Sequence, residues 1–156
     1  MFPGLDAEAH RQIAAAIRFP VVVRRGEHLV RSGDGFHHLY SVHDGAFKAY
    51  VSDAAGREHV WGFGVPGDLM GLHAITSRRY QANFVALEDS RVASLSYTRL
   101  LTLFERVPGL LELMLRSASG QIARLERLNG DHAANVRIAA FLTSLPHHFK
   151  AHAQGD

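Results

Sequence analysis

Between residues 21 and 96 the chain is interrupted every few residues by a turn signal: Gly26, Ser32-Gly33-Asp34-Gly35, Asp44-Gly45, Ala55-Gly56 and Pro66-Gly67-Asp68. No long helix survives such punctuation, whereas short strands need boundaries of this kind. The runs between the turns are rich in β-branched and aromatic residues, so the segment predicts a small antiparallel β-sandwich or roll. Within it, His37-His38-Leu39-Tyr40-Ser41-Val42 and Ala46-Phe47-Lys48-Ala49-Tyr50-Val51 place apolar residues at alternate positions. Asp44-Gly45 between them predicts a tight hairpin.

Helical spacing flanks the strands. Ile13, Ala14 and Ile17 fall on one face of a short leading helix, with Asp6 as N-cap and Pro20 closing it. After Ser96 the helical period returns over 97–107 and again, past Pro108-Gly109, up to Asn129. In that second helix Leu111, Leu115, Ala118, Ile122, Leu125 and Asn129 are spaced by four, three, four, three and four, which is a heptad seam. Paired helices bury along such a seam what neither hides alone, and a seam asparagine fixes register. The seam therefore predicts a parallel homodimer. Packing of the helix on its own roll is the competing reading, since Met114 and Leu128 widen the apolar stripe and Gly120 weakens the helix. Gly130 then ends the helix, Asp131 caps a further one carrying Val136, Ile138, Phe141, Leu142 and Leu145, and 147–156 reads as a tail. The predicted class is α+β, mainly β, with a β-roll and short flanking helices over 1–107, a dimerisation helix over 108–129, and a hinge helix and tail over 130–156.

Composition narrows the functions. At 156 residues and 47% hydrophobic content the chain supports one core plus an appendage. Lys and Arg exceed Asp and Glu by only 17 to 15, too little for a nucleic-acid footprint by charge alone. The absence of cysteine excludes disulfides, thiolate metal sites, cysteine nucleophiles and a cysteine-ligated iron–sulfur cluster. The opening Met1-Phe2-Pro3-Gly4 lacks a secretory pattern, and charges or histidines break every apolar run. A cytoplasmic protein with no membrane span is expected.

The order of elements and several strings resemble the effector domain of the Crp/Fnr superfamily of bacterial transcription regulators. Arg25-Gly26-Glu27-His28-Leu29 resembles that family's opening strands. The stretch 62–75, with Pro66-Gly67-Asp68 and Gly71-Leu72-His73, is closer to the oxygen-responsive Fnr branch than to the cyclic-AMP branch, as is Ala86-Leu87-Glu88-Asp89-Ser90. The resemblance implies a cyclic-nucleotide-binding-type roll and a dimer helix that pass an effector signal to a winged helix-turn-helix. The residues after the helix over 131–145 are too few to form that reader, so specific promoter binding is not expected of this chain alone. DNA and RNA polymerase are expected partners only of a full-length protein, with the loop over 65–69, taken as exposed, as the candidate polymerase contact.

The chain departs from both branches. Where the cyclic-nucleotide branch has an acid after the cassette glycine and then Arg-Ser/Thr-Ala, this sequence has Leu72 after Gly71 and Tyr80-Gln81-Ala82. The ribose acceptor and bidentate phosphate donor are missing at register, although Arg78 and Arg79 lie nearby. The Fnr branch's late-strand cluster cysteine aligns near Ala93. Gly67, Gly71, Leu72, His73, Arg78, Arg79, Tyr80 and Gln81 are the candidate effector-pocket residues. They are expected to border a cavity between the 67–74 segment and the dimer helix. No cofactor is predicted; a small anion, haem through His73, a cyclic nucleotide, a protein partner or no ligand remain open.

Eleven histidines invite a metal reading, yet their spacing does not specify a site. His37 and His38 are adjacent on a strand and point to opposite faces, and His38 shares parity with Phe36 and Tyr40, which favours a hydrogen-bonded core histidine. A cupin-like metalloenzyme would need His-x-His on a strand with a carboxylate near it, and none is present. No metal site and no catalytic constellation is assigned, so the expectation is a non-enzyme.

Overall fold

The computed structural model describes residues 6–130, with side chains through Arg127. Domain 130–156 of the sequence reading, apart from Gly130, and the apolar face running from Val136 to Leu145 lie outside the described residues, as does the side chain of Asn129. Eight strands follow a leading helix α1 (Ala7–Ala16): β1 (Ile17–Val23), β2 (His28–Val30), β3 (His38–Asp44), β4 (Phe47–Ser52), β5 (Glu58–Gly64), β6 (Leu69–Met70), β7 (Asn83–Ala86) and β8 (Ser90–Ser96). A short α2 (Ala74–Ser77) sits between β6 and β7, and α3 (Tyr97–Arg106) and α4 (Leu110–Gly130) complete the chain.

The strands form two antiparallel four-stranded sheets, ordered β1-β8-β3-β6 and β2-β7-β4-β5. That interleaving is a jelly roll, in which successive strands pass from one sheet to the other except for the β4–β5 hairpin. It corrects the predicted β3–β4 hairpin. The two strands lie one or two residues later than expected, and β3 pairs with β6 and β8 while β4 pairs with β5 and β7. The Asp44-Gly45 turn is a corner between sheets. Gly45 is required there because its φ is +87° and a Cβ would lie 2.0 Å from Ser90 Oγ, far inside contact distance.

Asp6 caps α1, accepting the Ala9 amide at 2.7 Å. The helix stops at Ala16, before the sequence limit, because Ile17 and Arg18 pair with Leu95 and Ser94 of β8 at the sheet edge. Pro20 is tolerated on this edge strand and sits within a register shift between Arg18 and Val21. The core is filled by Leu39, Val42, Phe47, Phe84 and Val92, joined by Leu100, Leu103, Val107 and Leu110 from the helices. Each well-buried side chain of this kind contributes about 1.5–3 kcal/mol.

Helix α4 uses two faces. Leu110, Leu113, Met114 and Ser117 lie against the outer surface of the first sheet, beside Leu39 and Leu95. Leu111, Leu115 and Ile122 are 49%, 60% and 55% exposed, so the roll of the same chain covers them only in part. No described helix is long and apolar enough to cross a membrane.

Candidate effector pocket

Strands β5 and β6, the turn that follows β6 and the middle of α4 border a cavity of about 440 Å³. Its floor is Leu69, Met70, Gly71, Leu72 and His73. Trp61 and Phe84 come from the second sheet, and Ala118, Gln121, Ile122 and Leu125 come from α4. The backbone can pass close to the neighbouring strand at Gly71 because φ is +99° and a Cβ would come within 3.3 Å of the His38 carbonyl oxygen.

Two polar clamps hold α4 over this floor. Gln121 Nε2 donates to the Leu69 carbonyl at 2.8 Å, and the Leu69 amide donates to Gln121 Oε1 at 3.3 Å. The side-chain amide thus behaves as a further strand residue on the edge of β6. One helical turn on, Arg124 forms an ion pair with Asp68, and Asp68 also accepts the Val65 amide at 2.9 Å. Both charged side chains are largely buried, where an ion pair is screened little.

His73 is half-buried between the rings of Trp61, Tyr80 and Phe84, at centroid distances of 5.9, 6.4 and 5.6 Å. Its Nε2 accepts the Gln81 amide at 3.2 Å, and burial holds its pKa below the usual imidazole value. The bond and the shift both favour the neutral ring.

The candidate residues separate in space. Gly71, Leu72 and His73 line the cavity, whereas Gly67 borders a smaller space of about 110 Å³ beneath the start of α4. Its amide donates to the Val42 carbonyl and is not offered to a ligand. Arg78 stacks over the Tyr97 ring at 4.9 Å, Arg79 donates to the Gly33 carbonyl at 2.8 Å, and buried Tyr80 donates its hydroxyl to the His38 carbonyl at 2.7 Å. Gln81 takes part through its backbone. No Lys or Arg is among the residues lining the cavity. The loop taken as an exposed polymerase contact is a further correction: Val65, Pro66 and Asp68 are buried and only Gly67 is exposed. Polar Gln121 and Arg124, three apart on an otherwise apolar helix face, were the overlooked signal for the clamps.

Neither an iron–sulfur cluster nor a haem fits these residues. There is no cysteine in the chain, and Ala93 faces α4 alongside Leu95, Met114 and Ser117. A haem iron at His73 Nε2 would have to displace the Gln81 amide. Among the described residues no three His, Asp or Glu side chains converge as metal ligands. His38 is not a core histidine, since it is half-buried and lines a separate open pocket.

The cyclic nucleotide-binding domain family matches residues 20–107. The transcriptional activator protein Anr of Pseudomonas aeruginosa is 33% identical over 132 residues, 83% of this chain and 54% of that protein. The fumarate and nitrate reduction regulatory protein of Escherichia coli K12 is 32% identical over 130 residues, 81% of this chain and 52% of its own length. The chain therefore spans about half the length of the curated relatives it matches. In fold it is similar to the c-di-GMP-responsive global regulator CLP of Xanthomonas campestris, with a TM-score of 0.68 at 22% identity over 90% of this chain and 72% of that one. With its jelly roll, its overlying helix and these relatives, the chain belongs to the cyclic nucleotide-binding domain family and corresponds to the sensory portion of the Crp/Fnr transcription regulators.

Proposed function

We propose that this chain is a non-enzymic sensory and dimerisation module that sets the geometry of α4 and, in a full-length protein, passes it to a DNA-binding domain. The observation that carries the reading is that α4 is both the roof of the cavity and, through Gln121 and Arg124, the partner of its floor. Anything that lifts or fills the floor must change how α4 sits, and differential contact of this kind is what allows occupancy to bias a conformation. The effector class supported is a neutral, largely apolar molecule. Gly71 is followed by Leu72, and Arg78 and Arg79 are engaged elsewhere, so a cyclic phosphate has no guanidinium in this cavity. DNA, RNA polymerase and a second copy of the chain are the proposed partners, in the cytoplasm.

The test is promoter binding by the full-length protein. Gln121→Ala releases one clamp without exposing a charge, and it should alter affinity for a palindromic half-site pair by about fivefold or more, the lower range of allosteric coupling. Unchanged affinity, with α4 shown by hydrogen exchange to be loosened, would overturn the proposal.

A further inference from the structure

A second, open pocket of about 540 Å³ shares no lining residue with the first. The sheet register explains its chemistry. Ser94 of β8 pairs with Arg18 on one side and Tyr40 on the other, and Ser96 pairs with His38. Residues directly opposite on neighbouring strands project from the same face, so these polar side chains share one surface. On β1 the step from Arg18 to Val21 spans three residues, while the matching step on β8, Ser94 to Val92, spans two. Without that bulge Phe19 would stand opposite Ser94. The extra residue puts a guanidinium in the row instead.

Arg99 reaches the same pocket from the first turn of α3, next to the N-cap Ser96. No Asp or Glu lines the pocket, and among the described residues neither Arg18 nor Arg99 forms an ion pair. The hydroxyl-bearing side chain of buried Ser94 lines the same pocket. Asp34, the carboxylate whose charge reaches Tyr40, is engaged by the Arg31 amide at 2.9 Å. His38 is held below the usual imidazole range by burial and then by the positive charges of His37 and Arg18. The remaining wall is apolar, from Ile17, Val21 and Leu29. Two cations without a counter-charge, beside a hydroxyl on the pocket wall, match an anionic group with a short apolar body.

We propose that this pocket binds a small carboxylate- or phosphate-bearing metabolite, its anionic group held by Arg18, Arg99 and the Ser94 hydroxyl. The site is independent of the cavity under α4. The experiment titrates the full chain with citrate, inorganic phosphate and chloride at matched ionic strength, followed by thermal shift and amide NMR. Citrate, phosphate or both should raise Tm saturably, with amide shifts centred on Tyr40, Ser94 and Ser96; response to one alone identifies the carboxylate or the phosphate source. Arg18→Gln and Arg99→Gln, at exposed positions, should each weaken binding about tenfold. Arg116→Gln, whose guanidinium pairs with Glu112 on the surface of α4, should leave it unchanged. A non-saturable response equal to that of chloride, an undiminished response in the Arg18/Arg99 double variant, or shifts centred on 71–73 would overturn the proposal.

Discussion

At His73 an ionisable ring is packed among three aromatic side chains, and its Nε2 lone pair is already used by the Gln81 amide. Protonation would remove that acceptor and place a charge in a poorly solvated site, so the folded pKa lies below the ordinary 6.5. His28 and His38 shift in the same direction, with burial as the largest cause in each. The unfolded chain, whose histidines titrate normally, then binds more protons below neutrality than the folded one. Stability must therefore fall as pH drops below the ordinary histidine value, until the folded pKa values are passed. Urea midpoints at pH 7.5, 6.5 and 5.5 should decline in that order, and His73→Gln, which keeps an acceptor, should reduce the decline. Identical slopes in the two proteins would show that His73 carries no part of it. His73 was legible in the sequence because it follows Gly71-Leu72. Its partners were not, because Trp61 and Phe84 meet it only after the chain has crossed between sheets.

Among the elements, α4 was the most legible and the β3–β4 connection the least. A heptad pattern reports a helix face directly, since each side chain's direction follows from its position in the turn. Alternation in β3 and β4 reports strands but contains nothing about their partners, and a short glycine turn serves a hairpin or a sheet corner equally well. The limit of α1 was misjudged for a related reason: Ile17 fits a helical stripe, yet pairing with Leu95 on an open sheet edge prevailed over local periodicity. Gly120 gives the element-scale prediction. It lies inside α4, is exposed, has no unusual φ, and a Cβ built on it meets nothing within 4 Å. Gly120→Ala should therefore stabilise the protein by about 0.5–1 kcal/mol, the usual helix-interior difference. Chemical denaturation checks this, and a destabilised variant would place another surface against that face of the helix.

For the whole molecule, the open question in the sequence was whether the heptad seam serves a second chain or the roll beneath it, and the roll takes up only part of it. Ala118, Leu125 and one edge of Ile122 line the cavity, and a Cβ on Gly62 would lie 3.0 Å from Leu125 Cδ2, which shows how closely β5 approaches α4. Leu111, Leu115 and Ile122 remain about half or more exposed. Three large aliphatic side chains in one stripe are a surface that a second copy of α4 would cover, each gaining about 1.5–3 kcal/mol on burial. Glu112 and Arg116, paired with each other at 2.8 Å beside that stripe, are charges of the kind that flank the seam of paired helices. We therefore expect the chain to be a parallel homodimer through Leu111, Leu115 and Ile122, with Ala118 and Leu125 at the margin of the seam. Multi-angle light scattering should give twice the chain mass for the wild type and a single chain mass for Ile122→Asp, because pairing would place two carboxylates against each other in a desolvated seam. The substitution falls on an exposed position, so the monomer should keep its circular dichroism spectrum. A dimeric Ile122→Asp would move the interface to another surface.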